Sequence, residues 1–292
     1  MSAPFLAVWH NGALGRDEAI AISPANRGLT LGDGLFETIA VFNGIAVWLD
    51  DHLDRLMGGA AVIGLDIARQ DVAGGVTQCL AQAGRVRGIL RITVTRGAGG
   101  RGLAASAMAA TLLVTLAPWT GGMLFREATL ITARVRRNEH SPVSLIKSLS
   151  YLDNILAARE AAEAGADDAL MLNTAGRAAC STIANVFLIE DGGLVTPPPS
   201  EGVLAGIARR KVMDAARELG LNLEEAPLAV QRVSSAQGIF LTNSLRLMRP
   251  VTSLDGDAIS STAVAHLAAI FDRLCHAVAR DCGIDPRNID KA

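Results

Sequence analysis

Ile39-Ala40-Val41-Phe42-Asn43-Gly44-Ile45-Ala46-Val47-Trp48-Leu49 reads as two β-type runs around an Asn-Gly pair, the signal for a hairpin with a type I′ turn. Asp50 and Asp51 follow as caps of a helix that carries Leu53, Leu56, Met57 and Ala60 at helical spacing. A hairpin running straight into an amphipathic helix sets the tone for the rest of the chain. Upstream, Phe5 to Trp9 and the Asn11-Gly12 turn predict another hairpin. Downstream come a helix over Val72 to Ala83 and a half-buried strand, in which Leu90, Ile92 and Val94 alternate with Arg91, Thr93 and Thr95. After a Gly-rich loop an apolar strand covers Leu112 to Leu116. Pro118-Trp119-Thr120-Gly121-Gly122 is the one stretch that reads as a linker.

Beyond it the spacing predicts a strand over Thr129 to Arg136, a helix over Leu149 to Glu163, and strands at Ala169 to Leu172, Ile183 to Ile189 and Leu194 to Thr196. A helix from Gly206 to Gly220, a short strand Ile239 to Leu241 and a helix over Ser261 to Ala279 complete the chain. Strands and helices alternate irregularly, with many hairpins. That pattern is α+β (mixed α/β), not a clean βαβ array. We divide the chain into a small α/β domain at 1–117, a linker at 118–127 and a larger domain at 128–292.

Composition excludes several classes. The chain has 292 residues, half of them apolar, which is enough for a sizeable core without staples. Net charge is −2, and no basic stripe marks a nucleic-acid binder. No apolar run is long enough to span a bilayer, and the N-terminal residues lack a signal-peptide pattern. Cys79, Cys180, Cys275 and Cys282 are scattered, and the five histidines do not cluster. Neither a disulfide framework nor a metal site is expected, and a reducing, cytoplasmic setting fits.

Of 27 basic residues only Lys147, Lys211 and Lys291 are lysine. Lys211 sits in a charged helix face and Lys291 near the end. Lys147 lies in Ser144-Leu145-Ile146-Lys147-Ser148-Leu149-Ser150-Tyr151, at a strand–helix boundary with apolar neighbours. A lysine so placed can act as an amine nucleophile, which arginine cannot replace. Tyr151, the single tyrosine, would share its face if both stood on the helix. Gly206-Ile207-Ala208 opens a helix where backbone N–H groups favour a phosphate. Thr242-Asn243-Ser244 offers donors at a strand end, and Arg55 a bidentate cation. Gly97-Ala98-Gly99-Gly100-Arg101-Gly102 satisfies GxGxxG, but the next element reads as a strand, against a dinucleotide fingerprint.

In collinear order these pieces resemble the class IV (fold type IV) pyridoxal-phosphate enzymes: branched-chain and D-amino-acid aminotransferases and aminodeoxychorismate lyases. The resemblance runs from about Asn26 to Gly256. It rests on Arg27-Gly28-Leu29-Thr30-Leu31-Gly32-Asp33-Gly34-Leu35-Phe36-Glu37-Thr38, His52-Leu53-Asp54-Arg55-Leu56, Arg96 to Gly102, Ile146-Lys147-Ser148-Leu149, Asn185-Val186-Phe187, Thr196-Pro197-Pro198, Gly206-Ile207 and Thr242-Asn243-Ser244. It implies a two-domain fold with pyridoxal 5'-phosphate in the interdomain cleft, in a homodimer. It implies that Lys147 carries the cofactor and that Arg55, Ile207, Ala208, Asn243 and Ser244 hold its phosphate. Phe36 and Arg101 fall on the substrate pocket, and Tyr151, four residues after Lys147, is assigned to a wall of the same site.

The chain departs from the family at Cys180, where relatives place a glutamate that pairs with the pyridine nitrogen. A neutral thiol cannot keep that nitrogen protonated as a carboxylate does. Around Arg101, two of the three residues that D-amino-acid aminotransferases use to trap a carboxylate are missing, since Phe36 and Leu103 replace Tyr and His. The loop Arg96 to Gly102 resembles the lyases, whereas Ile146 to Asn154 resembles the aminotransferases. The expected activity is therefore amino transfer between an amino acid and a 2-oxo acid. The alternatives are an aminodeoxychorismate lyase, with an amino-chorismate substrate, and a non-catalytic cofactor-binding dimer. No nucleic acid, membrane or metal is expected.

Overall fold

The computed structural model describes residues 5–15, 19–99, 102–104, 109–259 and 264–291. The chain divides into two compact units. One comprises Met1–Gly121, Ile146–Ser150 and Val278–Ile284; the other comprises Gly122–Leu145, Tyr151–Ala277 and Asp285–Ala292.

The first unit contains strands β1 (Ala7–His10), β2 (Ala13–Gly15), β3 (Gly34–Phe42), β4 (Ile45–Ala46), β5 (Gly88–Thr95) and β6 (Thr111–Pro118), with helices α1 (Arg27–Leu31), α2 (Leu49–Val62) and α3 (Arg69–Ala83). The strands form one sheet in the order β2-β1-β6-β5-β3-β4. Every neighbouring pair in it is antiparallel. The alternation over residues 90–95 works as expected. Leu90, Ile92 and Val94 join Leu35, Ile39 and Val41 of β3 in a core with Leu53, Leu56 and Ala60 of α2 and Val72 and Val76 of α3. The next strand after the Gly-rich stretch is β6, the antiparallel neighbour of β5, and no helix is found between them among the described residues, which argues against a dinucleotide fingerprint.

The opening hairpin differs from expectation at its far end. Val41 pairs with Ala46 and Phe42 with Ile45, but β4 stops after two residues. Trp48 adopts φ 55°, in the left-handed region, which breaks the strand. It is also the residue before α2 and makes no side-chain cap. Asp50 and Asp51 sit inside the first turn. There they favour the helix dipole rather than cap the helix. The Trp48 N–H is instead met by the Asp281 carboxylate at 2.6 Å.

The second unit contains β7 (Ala128–Arg137), α4 (Pro142–Leu145), α5 (Leu152–Glu163), β8 (Asp168–Asn173), β9 (Arg177–Ser181), β10 (Asn185–Glu190), β11 (Gly193–Thr196), α6 (Ile207–Glu218), β12 (Leu223–Glu225), β13 (Leu228–Ala229), α7 (Val230–Ser234), β14 (Gly238–Asn243), β15 (Leu247–Leu254), β16 (Asp257–Ala258) and α8 (Val264–Cys282) as far as Ala277, the rest of α8 counting with the first unit. Its sheet runs β12-β11-β10-β14-β15-β7-β8-β9-β13. A further contact, Asn185 with Cys180, pairs β10 with β9, so six strands close into a ring. Each of the six contributes to one apolar cluster that includes Leu130, Leu170, Ala178, Leu188, Leu241 and Val251. On other faces, α6 and α8 pack against Phe187 and Phe240, and α5 packs Ala157 and Ala161 near Met171, Ala179 and Cys180.

The four cysteines are buried and unpaired. Among the described residues, no helix is long and apolar enough to cross a membrane.

Candidate active site

In the first unit, Lys147 owes its position to β3. The Phe36 N–H donates to the Lys147 carbonyl, and the Leu149 N–H to the Gly34 carbonyl, both at 2.9 Å. Leu35 and Ser148 form the antiparallel bridge between these two bonds. The lysine segment thus adds itself to the edge of β3. Gly34 makes room for it: a Cβ there would lie 2.3 Å from the Val94 carbonyl oxygen and 2.8 Å from Leu149. The half-buried Lys147 side chain carries its Nζ to 4.3 Å from the centre of the Phe36 ring, and the Arg91 guanidinium lies 4.1 Å from the same ring. Both are cation–π distances.

This corrects one expectation. The helix predicted from Leu149 begins at Leu152, and Tyr151 is the residue before it. Lys147 is therefore not on the helix, and a helical face shared with Tyr151 does not exist.

Arg55 stands on α2 and grips Glu37 of β3. Its Nε donates to Oε1 at 2.8 Å and its Nη2 to Oε2 at 2.7 Å. His52, one turn earlier, meets the same carboxylate through Nδ1 at 2.7 Å. Glu37 is fully buried. Burial pushes its acid upward, but the charge and hydrogen bonds of Arg55 and the bond from His52 outweigh this and hold the pKa at about 2. Sequence reasoning missed this carboxylate. The available signal was His52 and Arg55 three residues apart, on one helix face, with no stated partner. Arg101 lies outside the described residues.

In the second unit, the turn after β9 organises the remaining candidates. Cys180 is buried opposite Met171. Burial pushes its thiol up; the nearby Arg137 charge opposes this and Asp168 adds to it. Asp168 holds the turn by accepting from the Thr182 hydroxyl at 2.5 Å and the Thr182 N–H at 3.2 Å. From the turn, Asn185 donates to the Leu204 carbonyl at 2.9 Å, two residues before Gly206. Asn243 donates to the Ile183 carbonyl at 3.4 Å, while its own Oδ1 accepts from Leu245 and Arg246 and bends the chain after β14. The α6 start and the Asn243-Ser244 turn, which sequence reading named separately, are thus tied to one short segment. Neither Asn185 nor Asp168 had been assigned this holding role.

The α6 start leaves no space for a side chain at Gly206. Gly206 precedes the helix without a side-chain cap, and Ile207 and Ala208 behind it are buried. A Cβ on Gly206 would stand 2.0 Å from the Asn185 Oδ1. The first-turn N–H groups of a helix have no intrahelical acceptor and attract an anion. These residues fit a phosphate, and the Lys147 amine fits an aldehyde. Cys180 offers no charge to a ring nitrogen.

Comparison with known proteins gives the family. A family model described as amino-transferase class IV matches residues 34–254. A putative branched-chain-amino-acid aminotransferase of Methanocaldococcus jannaschii is 29% identical over 268 residues, covering 90% of this chain and 92% of that protein. A bifunctional aminodeoxychorismate lyase / D-amino acid transaminase of Mycobacterium tuberculosis is 30% identical over 267 residues, covering 82% of this chain and 87% of its own. Among solved structures, a hypothetical aminotransferase from Mycobacterium tuberculosis in a PLP-bound form superposes with a TM-score of 0.82 at 25% identity, covering 94% of this chain and 99% of that one.

Proposed function

The chain belongs to the class IV aminotransferase family, and on that footing we propose that it is a pyridoxal-phosphate-dependent enzyme moving an amino group between an amino acid and a 2-oxo acid. The observation that carries the proposal is the pairing of residues 147–149 with β3, which fixes the Lys147 backbone and sets its amine on the Phe36 ring.

When bound, pyridoxal phosphate supplies the electron sink that makes a substrate Cα proton removable. Lys147 would anchor the cofactor through its amine. Freed by the incoming substrate amine, it would then take the Cα proton as general base and deliver it as general acid to the former aldehyde carbon of the cofactor, so that the amino group stays behind when the 2-oxo acid leaves. The N–H groups of Ile207, Ala208, Asn243 and Ser244 would hold the phosphate, with Arg55 supplying charge. Phe36 and Tyr151 would line the pocket, and Arg101 would hold a substrate carboxylate.

A lyase outcome is the second reading, favoured by the bifunctional relative. There, loss of a β-substituent gives pyruvate and 4-aminobenzoate from aminodeoxychorismate. A substrate panel separates the two. Amino acids with an added 2-oxo acid should give oxo-acid product that depends on the acceptor. Pyruvate released from aminodeoxychorismate without any acceptor would make the chain a lyase instead.

We further propose a cytoplasmic homodimer, with no nucleic-acid or membrane partner. Leu152, Ile155 and Leu156 of α5 form an exposed apolar stripe at 65%, 54% and 39% exposure. Such a stripe on a soluble enzyme calls for a cover, and a second copy is the occupant we assign. Ile155→Asp should lower the sedimentation mass to that of one chain while helix content is kept. A variant that stays dimeric places the interface elsewhere.

A further inference from the structure

The core-facing side of β3 is apolar except at one position. Leu35, Ile39 and Val41 are buried there, and Glu37 is buried among them. A lone carboxylate in that setting costs several kcal/mol. Its two oxygens are therefore filled: Arg55 closes a fork on both, and His52 adds a third bond. His52 is itself fully buried. Burial lowers its pKa against the opposing pull of Glu37. A neutral imidazole facing an ionised carboxylate carries its proton on Nδ1. The other ring nitrogen, Nε2, is buried and has no hydrogen-bond partner.

Stability does not explain this triad, because a buried ion pair is often no better than well-packed apolar side chains of equal volume. Orientation does. The guanidinium is a rigid plane, and gripping Nε and Nη2 fixes that plane in space. The grip starts from a carboxylate with no exposure, whereas the Arg55 side chain keeps 16%. The cation is thus braced from inside the core on a side chain that is not wholly buried. A cation already held in one orientation loses less entropy when it takes a second anion.

We propose that Glu37 and His52 are positioning residues that preset the Arg55 guanidinium for the phosphate of the cofactor. The proposal rests on the reading of Arg55 as a phosphate contact. Neither residue touches the reacting atoms; both act through Arg55.

The test is a titration of the full chain, stripped of cofactor, with pyridoxal phosphate and separately with pyridoxal, which lacks the phosphate. Glu37→Gln should weaken pyridoxal phosphate binding by about tenfold or more, the scale of one charged hydrogen bond, and pyridoxal binding by less than about twofold. Arg55→Ala should show the same selectivity. In the Arg55→Ala background, Glu37→Gln should add nothing, because the group it positions is gone. His52→Gln still donates to Glu37 and should keep near-normal affinity, whereas His52→Leu should lose it. That pair stands if Glu37→Gln does not fold.

Equal losses for both ligands, or effects that simply add in the double variant, overturn positioning in favour of a packing role. If Arg55→Ala weakens phosphate binding and Glu37→Gln does not, this proposal fails while the reading of Arg55 survives. If Arg55→Ala has no effect, both fail.

Discussion

Lys147→Arg should slow turnover by about 10⁴-fold or more, the upper range for one acid–base group with a covalent role added, and should abolish the absorbance of covalently held cofactor. The substitution is chosen to spare the fold. An arginine keeps the positive charge, the length and the contact with the Phe36 ring, and the backbone bonds to Gly34 and Phe36 do not involve the side chain. Melting temperature should therefore change little. What is lost is an amine that can shed its proton and attack a carbonyl, since a guanidinium stays protonated throughout the working range. Lys211→Arg is the matched control and should leave turnover unchanged. A Lys147→Arg chain that retains its rate would remove the chemical role assigned here.

The sequence singled out Lys147 as a candidate, but its setting was not legible there. Composition singled out Lys147, because an arginine-rich chain keeps few lysines and only this one lies among apolar neighbours. Periodicity left it at a strand–helix boundary and began the following helix at Leu149, three residues too early. Residues 147–149 instead spend their backbone groups on β3, more than a hundred positions earlier, and no local pattern announces so distant a partner. Trp48 shows the same limit. The run from Ile45 to Leu49 has ideal strand composition, yet a left-handed Trp48 ends it and hands its N–H to Asp281. Strands with clear alternation, such as β5, fell where expected because one face is core and the other is not. The strands missed outright were β9, too small and mixed for a pattern, β15, where Arg249 and Pro250 interrupt the apolar run, and β12, β13 and β16, of only two or three residues each.

Glu37 sits between these cases. It was quoted in the run Arg27 to Thr38 without a role, whereas Phe36 and Arg55 were given one. An acid on a core-facing position is invisible to a search for apolar periodicity, because it breaks the period. The structure shows why it is tolerated: two residues of α2 satisfy it. Breaks in an otherwise regular pattern are where function concentrates, and here the break reported more than the pattern did.

Cys180→Glu should raise the rate of amino transfer by about 10- to 100-fold, at a loss of about 1–3 kcal/mol in stability. The rate estimate follows from charge. A carboxylate that raises a ring-nitrogen pKa by one or two units multiplies the protonated fraction by about 10 to 100 where that fraction is small. The thiol present now cannot do this, since burial holds it neutral. The stability cost follows from burial, because position 180 is only 7% exposed and a carboxylate there loses its water. Part of the cost is offset by Arg137, whose charge already bears on the Cys180 thiol. Its guanidinium is fixed by bonds to the Gly202 and Ser144 carbonyls at 2.8 and 2.7 Å. Volume and charge must be separated, because glutamate also adds bulk beside Ala157 and Ala161 of α5. Cys180→Gln supplies the same bulk without charge. If charge at this position governs the electron sink, the Glu variant gains rate and shifts the cofactor absorbance, and the Gln variant does neither. If the two behave alike, or if Cys180→Glu folds and binds cofactor with unchanged rate and spectrum, then position 180 does not face the ring nitrogen. Cys180 would then be a packing residue of the α5 interface, and the chain's departure from its relatives there would carry no catalytic meaning.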